Sequence, residues 1–231
     1  MFDDHVERFA QFLKTIDSYA DALMRIGENR PPEPRWDQVW FPRLDACAAY
    51  AMVRTAKPRR IVEIGAGHST RFLARAIRDG GLATRLTTID PAPRAPIDGI
   101  DIEWITRRVQ KIELPPLQSG DILFIDSSHV YAPGSDVAYL LDEIVPNRPA
   151  GALVHIHDIF LPDPYPPEWA GRRYSEQEAV AGLLARGGFA VAFASRYVAT
   201  RMADALAASV VTRLPIAAGA FENSLWLRKL A

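Results

Sequence analysis

The stretch Ile61-Val62-Glu63-Ile64-Gly65-Ala66-Gly67-His68-Ser69-Thr70 decides the fold, because an apolar strand carrying one acid runs directly into a Gly-x-Gly turn. Glycine lacks the Cβ that would keep a ligand from the backbone, and a helix opening at Ser69 or Thr70 presents unpaired N–H groups. A second apolar run ends in Asp90, where nucleotide-binding α/β folds place the acid that binds a ribose. In this order the two signals predict a site for an adenosine-containing cofactor.

The charge beside this turn separates two classes of cofactor. Dinucleotide folds bring a pyrophosphate to the turn and usually follow the pattern G-x-G-x-x-G/A. The carboxylate of Glu63 would repel a pyrophosphate, whereas it attracts the ammonium and sulfonium groups of S-adenosylmethionine. The electrostatics therefore favour S-adenosylmethionine over NAD.

The chain resembles the class I S-adenosylmethionine-dependent methyltransferases from about residue 40 to residue 228. Glu63-x-Gly65-x-Gly67 is similar to their first motif, Asp90 to their ribose-binding acid, and residues 120–126 (GDILFID) to their fourth-strand motif. Three further motifs resemble those of a bacterial small-molecule methyltransferase subfamily: FIDSSH at 124–129, HIHDIFLP at 155–162 and YxEQ at 174–177. The resemblance implies methyl transfer from S-adenosylmethionine.

Apolar runs and helical patterns alternate after residue 58, which predicts a parallel sheet with helices on both faces. Strands are predicted near 61–64, 86–90, 101–105, 121–126, 151–157, 189–194 and 223–228. Helices are predicted near 69–79, 136–145, 176–186 and 199–211. The resulting class is α/β, a Rossmann-like doubly wound sheet of seven mostly parallel strands, and the resemblance implies that the last strand is antiparallel.

Residues 1–57 are predicted to be an N-terminal helical extension to a methyltransferase domain at 58–231. Apolar residues at spacings of three and four predict one amphipathic helix from Val6 to Ile26, ended by a proline-rich stretch, and a second helix from Leu44 to Thr55. The apolar stripe of the first helix is expected to pack on the core or on a partner chain. The second alternative would make the protein a homodimer.

Composition is that of a single-domain enzyme, with 231 residues of which 48% are hydrophobic and 24% charged. The net charge of −1 and the scattered arginines give no reason to expect a nucleic-acid partner. The single cysteine, Cys47, excludes an intramolecular disulfide and fits a reducing compartment. Because no apolar run reaches about 18 residues and the N-terminus lacks a signal-peptide pattern, we expect a cytoplasmic protein without membrane contact.

Titratable residues follow the predicted strands at the edge where open α/β sheets bind their ligands. His129 comes after the fourth strand, His157 with Asp158 after the fifth, and Asp126 ends the fourth. Since these two strands are expected to be neighbours, the side chains should lie together. We predict His157, Asp158 and His129 as the catalytic residues.

Methyl transfer requires in-line alignment of donor and acceptor, and an acceptor hydroxyl must also lose a proton. A histidine base or a divalent cation would serve this step. Asp126 and Asp158 are predicted ligands for Mg²⁺ or Mn²⁺, by similarity to catechol-type and certain sugar O-methyltransferases, although His157-Asp158 stands where the catechol-type pattern has Asp-Asn. Histidine is a poor ligand for Mg²⁺ and a good one for Mn²⁺, Fe²⁺ or Zn²⁺. The alternative for Asp126 is a carboxylate that caps its loop or holds the methionine end of the cofactor.

The sequence thus predicts a small-molecule methyltransferase, acting at a hydroxyl oxygen, with a proline-rich lid at 160–174. Ser175-x-x-Glu178 predicts a capping box at the next helix. Two other classes stay open, a non-catalytic S-adenosylmethionine-binding or scaffold protein and an NAD-dependent oxidoreductase. The predicted cofactor-binding residues are Glu63, Gly65, Gly67, His68, Ser69, Asp90, Asp126 and Ser127.

Overall fold

The computed structural model describes residues 2–27 and 30–231. Within these residues seven strands form one sheet: β1 (Arg60–Ile64), β2 (Arg85–Ile89), β3 (Glu103–Ile105), β4 (Ile122–Ile125), β5 (Leu153–Ile156), β6 (Phe189–Ala194) and β7 (Leu225–Lys229). Their order in the sheet is β3-β2-β1-β4-β5-β7-β6. Strand β4 lies between β1 and β5, which brings the loops after these three strands to the same edge.

Strand direction confirms the predicted fold class. The pairs formed by β1, β2, β3, β4 and β5 are all parallel, whereas β7 runs antiparallel to both β5 and β6. All four residues of β4 are buried, as expected for a central strand covered on both faces. The sheet is therefore the Rossmann-like doubly wound arrangement with one antiparallel strand.

Helices flank the sheet and connect its strands. They are α1 (Val6–Asp17), α2 (Ala20–Met24), α3 (Arg43–Ala56), α4 (His68–Asp79), α5 (Asp136–Ala138), α6 (Glu176–Ala185), α7 (Ser195–Arg201) and α8 (Ala203–Ala207). A π-helical turn, Tyr139–Ile144, continues α5. Short 3₁₀ segments occur at Asp3–His5, Val109–Lys111, Pro167–Arg172 and Val210–Arg213.

Two helix predictions are wrong in their bounds. The single helix expected from Val6 to Ile26 is broken at Ser18, whose hydroxyl donates to the carbonyl of Thr15 at 2.6 Å; a serine that bonds nearby backbone in this way competes with the helix. The helix expected at 199–211 is two helices, α7 and α8, because α7 already begins at Ser195, directly after β6, and ends before Met202.

The apolar stripe of α1 packs on the core of its own chain. Phe9, Leu13 and Ile16 are buried, and Phe9 makes an edge-on ring contact with Phe193 of β6. The Nη1 of Arg8 donates to the carbonyl oxygen of Val191 on the same strand at 2.9 Å. The feature that suggested a partner chain is thus explained within one molecule, and the homodimer stays a prediction without that support.

Helix α3 is the most deeply buried helix segment beside the sheet. Each residue from Leu44 to Val53 is buried, including the free thiol of Cys47. Burial raises the pKa of this thiol well above its usual range, which makes it a packing residue rather than a nucleophile. Among the described residues, no helix has the length and apolar character required to cross a membrane.

Candidate active site

The turn after β1 fits glycine because it touches the neighbouring loop. Gly65 has φ +87°, and a Cβ built on it would lie 1.8 Å from the carbonyl oxygen of Asp126. The Gly65 amide donates to the carbonyl of Ile89 at 3.0 Å, which ties the turn to the end of β2 as well. The loops after β1 and β4 therefore meet backbone to backbone, and no larger residue has room there.

Glu63, predicted to bind the cofactor, lines neither of the two clefts described below and instead supports this turn from beneath. Its side chain is fully buried and accepts hydrogen bonds from the hydroxyls of Ser69 and Thr70 at 2.7 Å and of Thr88 at 2.9 Å. The Thr70 hydroxyl in turn accepts from the amide of Gly67 at 2.9 Å. Burial raises the pKa of Glu63 to about 7, although the three hydroxyl donors act in the opposite direction.

A large cleft of about 530 Å³ opens beyond the ends of β1, β2 and β4. Four of the predicted cofactor residues line it: Gly65, Asp90, Asp126 and Ser127. The carboxylate of Asp90 spans the cleft floor, since one oxygen accepts from the amide of Ala66 and the other from that of Ala92, both at 2.7 Å. The volume is within the range of about 300–1,000 Å³ that is usual for ligand sites.

A small cleft of about 150 Å³ lies on the other side of the same turn. It is lined by three more of the predicted cofactor residues: Gly67, His68 and Ser69. Aromatic side chains of Trp40, Phe41, Trp169 and Phe221 form its walls. His68 stacks on Trp40 with ring centroids 5.4 Å apart, and burial, assisted by nearby Arg71, lowers its pKa to about 4.

The structure brings the predicted catalytic and metal-binding residues together: Asp126, His157 and Asp158 line the small cleft, and His129 is buried beside two of them. We call Asp126, His129, His157 and Asp158 the His/Asp cluster. The Nε2 of His129 lies 3.2 Å from Asp126 Oδ1 and 3.3 Å from Asp158 Oδ2, and the Nδ1 of His157 lies 3.7 Å and 3.4 Å from Oδ1 of the same two residues. Asp126 lines both clefts, so the cluster begins where they meet.

His129 is held by an acid from a distant helix. Its Nδ1 is 2.8 Å from Oε2 of Glu176, the first residue of α6, and both side chains are 1% exposed. Burial disfavours the charged imidazole, but the carboxylates of Asp126, Glu176 and Asp158 outweigh it and raise the pKa of His129 well above its usual range. Burial also raises the pKa of Glu176, against the pull of the histidine.

His157 is held in the same way by Asp45 of α3. Its Nε2 lies 3.3 Å from Asp45 Oδ2, and Asp45 also accepts from the amides of Asn223 at 3.0 Å and Ser224 at 2.9 Å. Burial acts to lower the pKa of His157, but the carboxylates of Asp158, Asp126 and Asp45 raise it to about 9. The ring therefore presents Nδ1 to the cluster.

The backbone at two cluster residues is in the left-handed region, with φ 60° at His129 and 56° at Asp158. Non-glycine residues adopt this conformation at a cost and persist in it where the surroundings hold them, often at functional sites. Here the side chains are held by Glu176 and by Asn223, whose Nδ2 donates to Asp158 Oδ1 at 2.9 Å. A further histidine, His155, lies within β5. Its ring stacks on that of Phe124 with ring centroids 3.7 Å apart, which makes it part of the core.

Residues 160–174, predicted as a lid, border the small cleft with Trp169 and Arg172, whose guanidinium lies 3.9 Å from the centre of the Trp169 ring. Gln177 fastens the segment, since its Oε1 accepts from the amide of Phe160 at 3.0 Å. The predicted capping box is wrong: the Ser175 hydroxyl makes no cap bond and instead accepts from the amide of Tyr131 at 2.9 Å.

Sequence reasoning missed Asp45 and Asn223. Asp45 had a detectable signal, because it is an acid inside an apolar helical run in which every neighbour from Leu44 to Val53 is buried. Asn223 carried none, since it precedes an unremarkable strand and reaches the cluster through the antiparallel pairing of β7 with β5.

Comparison with known proteins identifies a family model that matches part of the chain. Residues 62–159, which run from β1 to just beyond the His/Asp cluster, match the family model described as a methyltransferase domain. The match covers less than half of the chain. No curated protein sequence matches the chain.

Two solved structures share the fold. The methyltransferase PaMTH1 of Podospora anserina, bound to S-adenosylhomocysteine, is 16% identical with a TM-score of 0.51, over 100% of this chain and 97% of that chain. The O-methyltransferase TomG of Streptomyces achromogenes, involved in tomaymycin synthesis and bound to S-adenosylmethionine, is 15% identical with a TM-score of 0.50, over 95% of this chain and 89% of that chain. At these identities the likeness is one of fold.

Proposed function

We propose that this protein is an S-adenosylmethionine-dependent methyltransferase that methylates a hydroxyl oxygen of a small molecule. The observation that carries the proposal is the meeting of the two clefts at Asp126, which lines the large cleft and also belongs to the His/Asp cluster of the small one. A methyl donor in one cleft and an acceptor in the other would be aligned by a single loop. The methyltransferase family match over residues 62–159 and the folds of PaMTH1 and TomG support the same class.

The large cleft fits the adenosine end of the cofactor. Asp90 keeps both carboxylate oxygens fixed by backbone amides, and each oxygen retains a lone pair for a ribose hydroxyl. The Ser127 hydroxyl is buried at the junction and has no hydrogen-bond partner among the described residues, so it is available to the cofactor. When bound, S-adenosylmethionine supplies a methyl carbon that its sulfonium activates for displacement.

The small cleft fits a compact acceptor. Its volume of about 150 Å³ and its aromatic walls, Trp40 and Trp169 among them, admit a small molecule with a flat apolar part. Asp126, His157 and Asp158 at the floor are the polar groups that such an acceptor would reach. We therefore propose an acceptor whose hydroxyl points into the His/Asp cluster.

His157 is the proposed base. Asp45 accepts the proton on Nε2, because a carboxylate only accepts, and this leaves Nδ1 to face Asp158 and the cleft. The base is the neutral ring, which a pKa of about 9 makes the minor form at neutral pH. In that form a proton taken from the acceptor hydroxyl would reside on Nδ1, stabilised by the neighbouring carboxylates. This arrangement resembles the base-and-orienting-acid pairs of other enzymes.

Asp126 and Asp158 are the proposed metal ligands within the same cluster. An orphaned, buried ring nitrogen faces both carboxylates, which fits a cation between them. When bound, a divalent cation would lower the pKa of an acceptor hydroxyl.

The cytoplasm, predicted from the sequence, stays the proposed location of the protein.

The test is a calorimetric titration of the purified protein with S-adenosylhomocysteine, with NAD as the control ligand. We expect micromolar binding of S-adenosylhomocysteine and none of NAD. Methyl transfer is then measured with S-adenosylmethionine labelled at its methyl group and a panel of phenols, sugars and hydroxy acids. Binding of NAD alone would support an oxidoreductase, and tight S-adenosylhomocysteine binding with no transfer to any hydroxylated compound would support a non-catalytic binder.

A further inference from the structure

We propose that His129 is a metal ligand, that Glu176 positions it, and that the resulting site selects a transition-metal ion such as Mn²⁺, Fe²⁺ or Zn²⁺ over Mg²⁺. The inference deepens the proposed function because it concerns the same cluster. Its test measures metal binding, so it stands or falls separately from methyl transfer. The argument begins with the geometry of three side chains: Asp126, His129 and Asp158.

Three ligand atoms from these side chains converge on one point. One carboxylate oxygen from each aspartate and one ring nitrogen of His129 all lie within 4.8 Å of one another. The nitrogen is 3.2 Å and 3.3 Å from the two aspartates. Ligands in adjacent positions around an ion, with bonds of about 2.2 Å at right angles, are separated by about 3.1 Å. The two nitrogen–oxygen distances are therefore compatible with adjacent positions in a coordination shell.

The converging nitrogen of His129 lies within ion-pair distance of two carboxylates but has no well-formed hydrogen bond to a described residue. Its Nε2 is buried and makes no hydrogen bond of acceptable geometry to any described residue, although two carboxylates lie beside it. Buried polar atoms are nearly always satisfied, so an orphan aimed between two acids requires an explanation. A cation shared by the nitrogen and the two carboxylates provides one.

Glu176 fixes the ring in the form that binds a metal. Since a carboxylate only accepts, Nδ1 carries the proton that Glu176 receives at 2.8 Å. A metal ion would displace the second ring proton from Nε2, whose lone pair then points toward Asp126 and Asp158. A carboxylate behind a histidine ligand is a recurrent arrangement in metal sites, and it sets both tautomer and ring orientation.

The charge of the surroundings also favours a cation. Four carboxylates, those of Asp45, Asp126, Asp158 and Glu176, lie within ion-pair distance of two imidazoles. With all four carboxylates ionised, negative charge exceeds positive charge within this group even when both rings are protonated. Arg94 also acts on Asp126, but its side chain is exposed at the mouth of the cleft. Uncompensated buried charge is costly, and a divalent ion would balance it.

The donor set decides which ion. Mg²⁺ requires near-ideal octahedral coordination by oxygen, imidazole suits Fe²⁺ and Zn²⁺, and Mn²⁺ is a transition-metal ion that also takes carboxylate oxygens. Two carboxylates with one imidazole therefore favour the transition metals. This preference depends on His129, because Asp126 and Asp158 alone offer oxygen.

The test titrates chelator-treated protein with MnCl₂ and, separately, MgCl₂ by calorimetry. We expect Mn²⁺ to bind at least tenfold more tightly than Mg²⁺. His129→Asn should weaken Mn²⁺ binding at least tenfold, and Glu176→Gln by about ten- to a hundredfold, because its amide would donate to Nδ1 and move the ring proton to Nε2. His5→Asn, a histidine outside both clefts, is the matched control and should leave the affinity unchanged.

Pulsed EPR of the Mn²⁺ protein gives a direct readout, since ¹⁴N modulation from a coordinated imidazole should be present in the wild type and lost in His129→Asn. S-adenosylhomocysteine binding in each variant reports whether it has folded. Unchanged Mn²⁺ affinity in folded His129→Asn, or Mg²⁺ binding as tight as Mn²⁺, would overturn the inference. Absence of any metal binding in a wild type that binds S-adenosylhomocysteine would also overturn it, while leaving the methyltransferase proposal intact.

Discussion

Replacing Glu63 by glutamine should change how stability depends on pH. The pKa of this buried carboxyl is raised to about 7, against about 4.3 in the unfolded chain. Between these values the folded protein holds a proton that the unfolded chain has lost, so the free energy of unfolding falls as pH rises through the interval. The slope is at most about 1.4 kcal/mol per pH unit and is smaller near each pKa, so the carboxyl lowers the free energy of unfolding by about 3 kcal/mol between pH 4.3 and 7. Glutamine has no proton to lose in this range, so it causes no such decrease in the free energy of unfolding.

The assay is thermal and urea unfolding of the wild type and Glu63→Gln from pH 5 to pH 8. The glutamine oxygen and amide can still pair with the hydroxyls of Ser69, Thr70 and Thr88, so the loop should keep its shape. As pH rises, the Tm of the variant should increase relative to that of the wild type, by about 6–12 °C for a chain of this size. Other titrating groups cancel in the difference, and exposed Glu113→Gln is the control. Parallel profiles for wild type and Glu63→Gln would refute the idea that burial holds this carboxyl uncharged.

Three further changes test the two clefts. Asp90→Ala should weaken S-adenosylhomocysteine binding at least tenfold by calorimetry, because a fixed pair of acceptors is lost, whereas exposed Asp98→Ala should bind normally; equal affinities would remove Asp90 from the site. Asp158→Ala should abolish methyl transfer while cofactor affinity stays nearly unchanged, and full activity would contradict its proposed role. Gly65→Ala should unfold the protein or eliminate cofactor binding, since its Cβ would overlap a carbonyl oxygen, and Gly182→Ala, which has open space around it, serves as the folded control in circular dichroism and calorimetry.

The sheet was predictable because its signals are local. Strands such as β4 are apolar throughout, and the acid and glycines around Glu63 and Gly65 mark the first turn without reference to distant residues. The position of Asp126 and Asp158 followed from a general property of parallel sheets, in which the carboxyl ends of neighbouring strands share an edge. Local pattern and topology together were sufficient to place the cluster.

The partners of the cluster were not predictable, because they arrive from distant parts of the chain. Asp45 lies more than one hundred positions before His157, and Asn223 reaches Asp158 only because β7 inserts between β5 and β6. Likewise Ser175 was expected to cap its own helix, but a loop amide competes for its hydroxyl. In each case a tertiary contact decided the role of a residue whose local pattern was ambiguous.

The contact between α1 and β6 also protects the sheet from other chains. Strand β6 is outermost, and an outermost strand presents unpaired amides and carbonyls that can recruit a strand from another molecule. Here the side chain of Arg8 donates a hydrogen bond to the carbonyl of Val191. The pairing register of β6 with β7 shifts at the same place, between Val191 and Phe193. A chain without its first helix would leave the Val191 carbonyl uncovered, so we expect the N-terminal segment to limit the pairing of this edge with another chain.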